Sequence, residues 1–351
     1  MVMQGQDMDN NPQFIKGLEL NKGFYFDIVR PLLDRKYPEL PYSAGLMGYG
    51  SDVLGYDTAT SMDHNWGPRL QLFINEKEMI NELNEYFRSE LPFRYRDFSV
   101  NFTAPNYEGI QSMEYTEKRP VNHLIEIDTF EDYLLKRYSM NKINDFTNHD
   151  WLKFTDQNLL ELSSGSVFFD GINKVNPMRE ELRYYPRDIC KLRMALLWNY
   201  IANKEAFIGR SIAIDDFIGL KINTGRIVNY CVKLFFCLEQ KYIPYSKWFG
   251  HAFQKLKIYG ETGELIINIL KENTPDKIEL YLCALYEKVI EVHNKNNELP
   301  RITNKTRNYF ERPYRVIFCE NIVQEIKNSI EDDEVRNVNL DTYGYDIILD
   351  K

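Results

Sequence analysis

One stretch in the first quarter of the chain limits the possible folds more than any other. An apolar segment over residues 42–47 runs into Gly50-Ser51, and a polar, glycine-containing loop follows. Asp63, twelve positions after Ser51, then precedes a second apolar run over residues 69–74. The pattern predicts two buried strands joined by a loop that can bind phosphate through backbone N–H groups and a metal through a carboxylate.

The rest of the chain predicts an α+β protein of two domains, because 351 residues exceed one ordinary core. Helical spacing over residues 20–35 and 76–89 accompanies strand patterns at 42–47, 69–74, 98–102 and 121–128. From about residue 130 the spacing is helical throughout. The helical segments are 130–138, 150–163, 186–207, 215–240, 246–257, 263–271 and 276–296. We expect a mixed-sheet domain over residues 1–145 and an all-α domain over residues 146–351.

Composition restricts the partners and the compartment. The net charge of −9 argues against a nucleic-acid-binding surface, since phosphate contacts along a polynucleotide need clustered Lys and Arg. No apolar run approaches the roughly 18 residues of a membrane span. The first twelve residues carry no Lys or Arg, so no secretory signal peptide is predicted. Five widely spaced cysteines predict reduced thiols in a cytoplasmic protein.

Two carboxylates fall on one face of the strand predicted over residues 121–128. Glu126 and Asp128 alternate with Ile125 and Ile127, so they share a side of an otherwise apolar strand. Unpaired buried carboxylates are costly, so the strand either has a wet face or contributes to a metal site. Asp128 has a further alternative, as the N-cap of a helix that begins at Phe130.

Gly50-Ser51 followed by Asp63 resembles the signature of the nucleotidyltransferase superfamily, in which Gly-Ser precedes an Asp-x-Asp or Asp-x-Glu pair. That resemblance implies that Gly50 and Ser51 bind the phosphates of ATP or another NTP. It also implies that Asp63 holds Mg²⁺ or Mn²⁺ and that a third acid lies on a nearby strand. Glu126 is the preferred third acid because it is central in its strand, and Asp128 is the other candidate.

Longer motifs are similar to those of the DUF4037 family over residues 20 to 320. They are Gly50-Ser-Asp-Val-Leu-Gly-Tyr-Asp57, Ser61, Asp63-His64, Trp66-Gly-Pro-Arg-Leu70, Arg183-Tyr-Tyr-Pro186, Asp188, Phe207-Ile-Gly-Arg210, Pro244-Tyr-Ser-Lys-Trp-Phe-Gly250, His293-Asn294 and Arg312-Pro313. The resemblance implies a nucleotidyltransferase-like N-terminal domain and a helical partner domain, similar in plan to aminoglycoside nucleotidyltransferases.

The chain departs from that family at Asn65. Family members commonly have Asp-His-Asp-Trp where this chain has Asp63-His64-Asn65-Trp66. An Asn oxygen can still bind a hard cation, but it brings no charge and should weaken metal binding. Asp52 and Asp57 lie in the intervening loop, where they either compensate for that charge or serve as turn residues.

Three basic residues are candidate phosphate contacts. Arg69 opens the second apolar run and is either a phosphate partner or an exposed arginine. Lys191 follows Arg187 by four positions, and Lys247 precedes His251 by four. Cations at that helical spacing repel each other, so a facing phosphate explains them, and a solvated helix face explains them nearly as well. The aromatic residues beside Lys247 either stack on a base or belong to the core.

The first functional hypothesis is a Mg²⁺-dependent nucleotidyltransferase. It transfers a nucleoside monophosphate, by expectation AMP, from an NTP to a hydroxyl of a small molecule or a protein, with Asp63 and Glu126 as catalytic residues. The alternative is a catalytically degenerate member of the same fold that binds nucleotides or proteins. A third hypothesis is a helical interaction protein in which Gly50-Ser51 is an incidental turn.

Overall fold

The structure is a computed structural model that describes residues 13–62 and 64–342. The helices are α1 (Gly17–Phe24), α2 (Arg30–Lys36), α3 (Met79–Glu90), α4 (Phe130–Tyr138), α5 (Asn148–Trp151), α6 (Asp156–Ser163), α7 (Val175–Glu181), α8 (Arg187–Ala213), α9 (Phe217–Leu238), α10 (Ser246–Phe253), α11 (Tyr259–Lys271), α12 (Pro275–His293), α13 (Cys319–Asn328) and α14 (Asp333–Arg336). A π-helical stretch, Tyr25–Val29, joins α1 to α2, and a 3-10 turn spans Ala59–Ser61. The strands are β1 (Tyr42–Leu46), β2 (Arg69–Ile74), β3 (Arg94–Tyr95), β4 (Phe98–Ser99), β5 (Leu124–Asp128), β6 (Ser166–Asp170), β7 (Arg307–Asn308) and β8 (Arg315–Val316).

The chain folds into two compact units. The first unit comprises Met1–Asp145 and Glu161–Arg183, and the second comprises Phe146–Leu160 and Tyr184–Lys351. A mixed sheet in the first unit and many helices in the second confirm the α+β class. Residues 161–183, which we expected in the helical half, instead contribute β6 and α7 to the first unit.

The main sheet of the first unit has the strand order β5-β2-β1-β6. β2 runs parallel to β5, and β1 runs antiparallel to both β2 and β6. In this register Gln71 lies beside Glu126 and beside Gly45, so all three residues belong to one face of the sheet.

The two faces of the sheet differ in polarity. Leu70, Leu72 and Ile74 pack on the buried side chains of the helical run from α1 to α2 and on Leu83 and Phe87 of α3. The opposite face carries the polar side chains, and the rings of Phe130 and Tyr133 on α4 pack against Phe73 on that face. The alternation predicted for residues 121–128 arises because β5 lies at the edge of the sheet with one apolar face and one wetter face.

The second unit is built from long helices, of which α8 and α9 are the longest. β7 and β8 form a two-residue hairpin pair, so the unit is helical but not strictly all-α. All five cysteines are buried and have free thiols. Among the helices that the structure describes, none has the combination of length and apolar character that crossing a membrane requires.

Candidate functional site

The loop that follows β1 contains a single α-turn that starts at Gly50. The Leu54 N–H donates to the Gly50 carbonyl (3.2 Å), and the Ser51 carbonyl accepts from Tyr56 and Asp57. Within residues 13–62 and 64–342, the backbone N–H groups of Gly50 and Ser51 donate no hydrogen bond. Two open N–H groups at the start of such a turn are what binding a phosphate oxygen requires.

Gly48 and Gly50 are required here by close contacts as well as by backbone conformation. Gly48 has φ +87° and Gly50 has φ +144°, values that other residues rarely adopt. A Cβ on Gly48 would lie 2.6 Å from the Tyr133 hydroxyl oxygen. One on Gly50 would lie 2.2 Å from Oδ1 of Asp52. Close packing therefore requires glycine at both positions, whether or not a ligand binds there.

Arg69 lies against Asp52. Its Nη2 is 2.8 Å from Oδ1 and its Nε is 3.1 Å from Oδ2, and Nη2 also donates to the Tyr49 carbonyl. Their side chains are 12% and 3% exposed, so the expected alternative of an exposed arginine is wrong. The pair fixes the loop to the start of β2, and the predicted phosphate contact of Arg69 stays a prediction.

Asp57 is the second anchor of the same loop. One of its oxygens, Oδ2, accepts from the Gly17 backbone N–H (2.7 Å) and from the Trp66 indole (3.2 Å). Lys16 pairs with the other oxygen at 3.4 Å. Asp52 and Asp57 are both buried. Of the two interpretations of these aspartates, the structure supports turn residues over replacement metal ligands, because their oxygens hold the loop in place.

Asn65 occupies a left-handed turn position with φ +48°. Its Oδ1 accepts from the Gln111 N–H (2.8 Å), and its own N–H donates to the Gln111 carbonyl (2.9 Å). Asn tolerates this conformation better than most residues, and its side-chain oxygen is used to hold the loop at Gln111. Asp63, the first predicted catalytic and metal residue, lies outside the described residues.

Glu126 is linked to the loop through Gln71. The Gln71 Oε1 accepts from the Met47 N–H at the end of β1 (3.0 Å), and its Nε2 lies 3.4 Å from the Glu126 Oε2. Arg137, near the end of α4, places Nη2 at 2.8 Å and 3.0 Å from the two Glu126 oxygens. Burial lowers the pKa of Arg137, but the attraction of Glu126 outweighs it, so the pKa is raised overall. Sequence patterns identified Glu126 but not Arg137 or Gln71.

Asp128 is held at the end of β5. Its Oδ2 pairs with the Lys136 ammonium, and its Oδ1 accepts from the Thr129 N–H (2.9 Å). The N-cap of α4 is Thr129, whose side chain accepts from the Asp132 N–H. The alternative that made Asp128 the N-cap is therefore wrong by one residue.

Two tyrosine hydroxyls of α4 meet over Gly48. A Cβ at Gly48 would lie 2.6 Å from the Tyr133 oxygen and 3.3 Å from the Tyr138 oxygen. Tyr138 donates to the Glu161 carboxylate (3.1 Å). The Tyr133 hydroxyl is buried and interacts with the Tyr138 hydroxyl. Burial raises the pKa of Tyr133 to about 12, so this hydroxyl keeps its proton at neutral pH.

The two predicted lysines of the second unit have different surroundings. Lys191 is buried, and its ammonium donates to the Ser329 carbonyl and lies 3.5 Å from Asp188. Lys247 is exposed, with its ammonium 5.1 Å from the Trp248 ring. Lys191 thus has a structural role, and its phosphate contact remains only a prediction. Tyr242 belongs to the core of the unit.

A predicted metal site does not form among the residues that the structure describes. Within these ranges no group of three His, Cys, Asp or Glu side chains is arranged to hold a metal ion. Glu126 forms an ion pair with Arg137, and Asp128 forms one with Lys136. The Asn65 side-chain oxygen accepts a hydrogen bond from the Gln111 N–H. Asp63, the first predicted ligand, lies outside the described residues, so the Mg²⁺ or Mn²⁺ site stays a prediction.

Comparison with protein families finds a match over a segment with residues in both units. Residues 151–249 match the model of DUF4037, a domain of unknown function. The predicted resemblance to DUF4037 is thereby confirmed for a segment that runs from the end of α5 into α10. A comparison of structures finds similarity to a nucleotidyltransferase-like protein from Exiguobacterium sibiricum, with 12% identity, 88% of this chain and 89% of the other covered, and a TM-score of 0.34. No curated protein matches the chain.

A buried ion pair organises the DUF4037 segment. Arg193 of α8 pairs with Asp156, and its guanidinium carbon lies 4.4 Å from the centroid of the Tyr185 ring. The other Asp156 oxygen accepts from the Ile243 N–H (3.2 Å). Because Asp156, Arg193 and Ile243 are far apart in sequence, these contacts hold three separate parts of the segment together.

Proposed function

We propose that the chain is a nucleotidyltransferase that binds a nucleoside triphosphate at residues 48–51. In this proposal it transfers the nucleoside monophosphate to a hydroxyl of a small molecule or a protein. The observation that supports it most is the link from Met47 through Gln71 to Glu126, with contacts of 3.0 Å and 3.4 Å. This link brings a carboxylate to the same face of the sheet as the loop with open N–H groups.

In the proposed reaction the acceptor hydroxyl oxygen attacks the α-phosphorus. The bond from that phosphorus to the bridging oxygen breaks, pyrophosphate leaves, and the hydroxyl proton passes to the Glu126 carboxylate. The N–H groups of Gly50 and Ser51 stabilise charge on the phosphate oxygens. Mg²⁺ or Mn²⁺ remains part of the proposal through Asp63, but the described residues do not form its site.

The test measures pyrophosphate release from ATP and the other NTPs, with Mg²⁺, Mn²⁺ or EDTA, in the presence of glycerol or an aminoglycoside as acceptor. Glu126→Gln should reduce the rate by about 100-fold or more, as for the loss of a general base. Glu131→Gln, which removes an exposed carboxylate from α4, is the matched control and should retain the rate. An undiminished rate for Glu126→Gln contradicts the proposed role of Glu126. Asp63→Ala should abolish release in the same assay.

The second candidate is a nucleotide-binding module without transfer activity. It is favoured by two observations: the Glu126 carboxylate is held by Arg137, and the Asn65 oxygen is held by Gln111. It predicts ATP binding in calorimetry without pyrophosphate release. In that case Asn65→Asp restores a charge and should increase Mg²⁺ affinity. Release by the unmodified protein rules this candidate out.

A further inference from the structure

We propose that Arg137 binds the phosphate of the bound nucleotide and that Glu126 holds this arginine in place until the phosphate arrives. The inference rests on the proposed function, since it assigns a phosphate contact within the same site. No motif in the sequence marks Arg137, which lies in the last turn of α4.

The Arg137 guanidinium has N–H donors that its contacts with Glu126 do not use. Its contacts with Glu126 both use Nη2, at 2.8 Å and 3.0 Å. In the part of the chain that the structure describes, its Nε and Nη1 donate to no residue. A guanidinium offers five N–H donors and suits the oxygens of phosphate. Arg137 can therefore approach a phosphate with unused donors before it releases Glu126.

The position of Arg137 brings it to the loop. Its guanidinium carbon lies 5.3 Å from the centroid of the Tyr133 ring. The hydroxyl at the far end of that ring reaches Gly48, where it would be 2.6 Å from a Cβ. The Tyr138 hydroxyl would lie 3.3 Å from the same Cβ, so two hydroxyl groups of α4 lie beside Gly48. One tyrosine thus lies between the arginine and Gly48, the first residue of the proposed phosphate loop.

The contact between Arg137 and Glu126 can exchange. Their side chains are 43% and 35% exposed, and ion pairs with this access to water contribute little to stability. A phosphate carries more charge than a carboxylate and accepts hydrogen bonds from the same donors. Glu126 and the phosphate therefore compete for one guanidinium. Removing the Glu126 charge should then tighten phosphate binding, because it frees the Arg137 guanidinium and also removes a charge that repels the phosphate.

Lys136 provides a matched control. It is the preceding residue on α4, and it pairs with Asp128, the other carboxylate of β5. Arg137→Gln and Lys136→Gln each remove one cation from the same helical turn and leave one β5 carboxylate without its basic partner. The two variants therefore change the net charge equally and differ in which cation is lost.

The experiment is calorimetric titration with inorganic tripolyphosphate in EDTA at fixed ionic strength, which makes the result independent of any metal. We expect Arg137→Gln to weaken binding by about tenfold or more, Lys136→Gln by less than about threefold, and Glu126→Gln to tighten binding by about threefold or more. Melting temperatures of the four proteins verify that they are folded. If Arg137→Gln does not fold, Arg137→Lys replaces it; this variant keeps the charge but loses the planar guanidinium, and it should weaken binding by about threefold or more.

The inference would be overturned if Arg137→Gln and Lys136→Gln lost equal affinity for tripolyphosphate. It would also be overturned if Glu126→Gln bound tripolyphosphate no more tightly than the unmodified chain does. Either result, together with tripolyphosphate binding and pyrophosphate release by the unmodified protein, leaves the proposed function standing. Failure of the unmodified protein to bind tripolyphosphate contradicts the inference. Failure to bind any NTP as well, with or without Mg²⁺, contradicts the proposed function.

Discussion

Arg69 and Asp52 form an ion pair that closes the loop after β1 directly beside Gly50. The distance from the Arg69 Nη2 to the Asp52 Oδ1 is 2.8 Å, and the same nitrogen would lie 2.7 Å from a Cβ on Gly50. The loop conformation proposed to bind phosphate is therefore maintained by a contact between residues 17 positions apart.

Removing the arginine should destabilise the first unit. Arg69→Gln leaves the Asp52 carboxylate buried without its partner, which costs roughly 3 kcal/mol in the free energy of unfolding. The change in the free energy of unfolding can be measured by chemical denaturation, with tryptophan fluorescence as the signal, since Trp66 lies in the core of that unit. Arg35→Gln is the control, because the Arg35–Glu90 pair is exposed and its loss should change stability little. Equal effects of the two variants would show that the Asp52 pair has no special role.

Gly48 should tolerate alanine less well than Gly55 does. Both have positive φ, +87° and +70°, so alanine strains the backbone in each case by about 1 kcal/mol. Only Gly48 has a close neighbour, the Tyr133 hydroxyl, whereas no atom lies within 4 Å of a Cβ at Gly55. We expect Gly48→Ala to lose an additional 1–3 kcal/mol or so through overpacking.

The cause of that additional loss can be tested with Tyr133→Phe. Removing the hydroxyl in the Gly48→Ala background should recover part of the stability in thermal denaturation. No recovery would mean that the backbone conformation, and not the tyrosine contact, requires the glycine.

Stability should fall in mildly acidic solution because of His123. Burial lowers the pKa of this histidine to about 4, while the unfolded value is near 6.5. A group whose pKa is depressed in the folded state contributes its full stability above the unfolded pKa and loses it as the pH falls. The free energy of unfolding should therefore decrease between about pH 6.5 and pH 4, by roughly 3 kcal/mol at most.

Denaturation curves at several pH values give the slope of the free energy of unfolding against pH, and His123→Gln should reduce this slope. Burial also lowers the pKa of His293, so His293→Gln should reduce the slope in the same direction. A slope that His123→Gln leaves unchanged would show that the imidazole is accessible to protons in the folded protein.

Glu205 should be essential to the second unit. This buried carboxylate on α8 accepts from three consecutive N–H groups, those of Ile317, Phe318 and Cys319, at 2.8, 3.2 and 2.9 Å. Glu205→Ala leaves these donors without a partner, at about 1–3 kcal/mol for each that stays buried. Glu272→Ala removes an exposed carboxylate that also accepts two backbone N–H groups, and it should have little effect on the melting temperature.

The local structure of the first unit follows closely from its sequence. The strands predicted at residues 69–74 and 121–128 and the helix predicted at 130–138 correspond to β2, β5 and α4. β6 was missed because its pairing with β1 is a contact between residues more than a hundred positions apart. No local periodicity encodes such a contact, and the neighbouring helical pattern concealed it.

The candidate site shows the same division between local and distant causes. Strand alternation and the resemblance to the nucleotidyltransferase signature together selected Gly50, Ser51 and Glu126 as candidates for a phosphate loop and a strand carboxylate. They did not predict that Asp52 holds Arg69, because Asp52 also suited a turn or a metal site. Nor did they select Arg137, since an arginine at the end of a helix is also expected from the helix dipole.

The sequence by itself determined the α+β class, the elements that flank the loop, and the carboxylates available to it, because periodicity and glycine placement act over a few residues. Only the tertiary structure decided which charges are already paired. Arg69 with Asp52, Lys136 with Asp128 and Arg137 with Glu126 are contacts of this kind. The strength of an ion pair depends on distance and access to water, and the packed chain fixes both quantities.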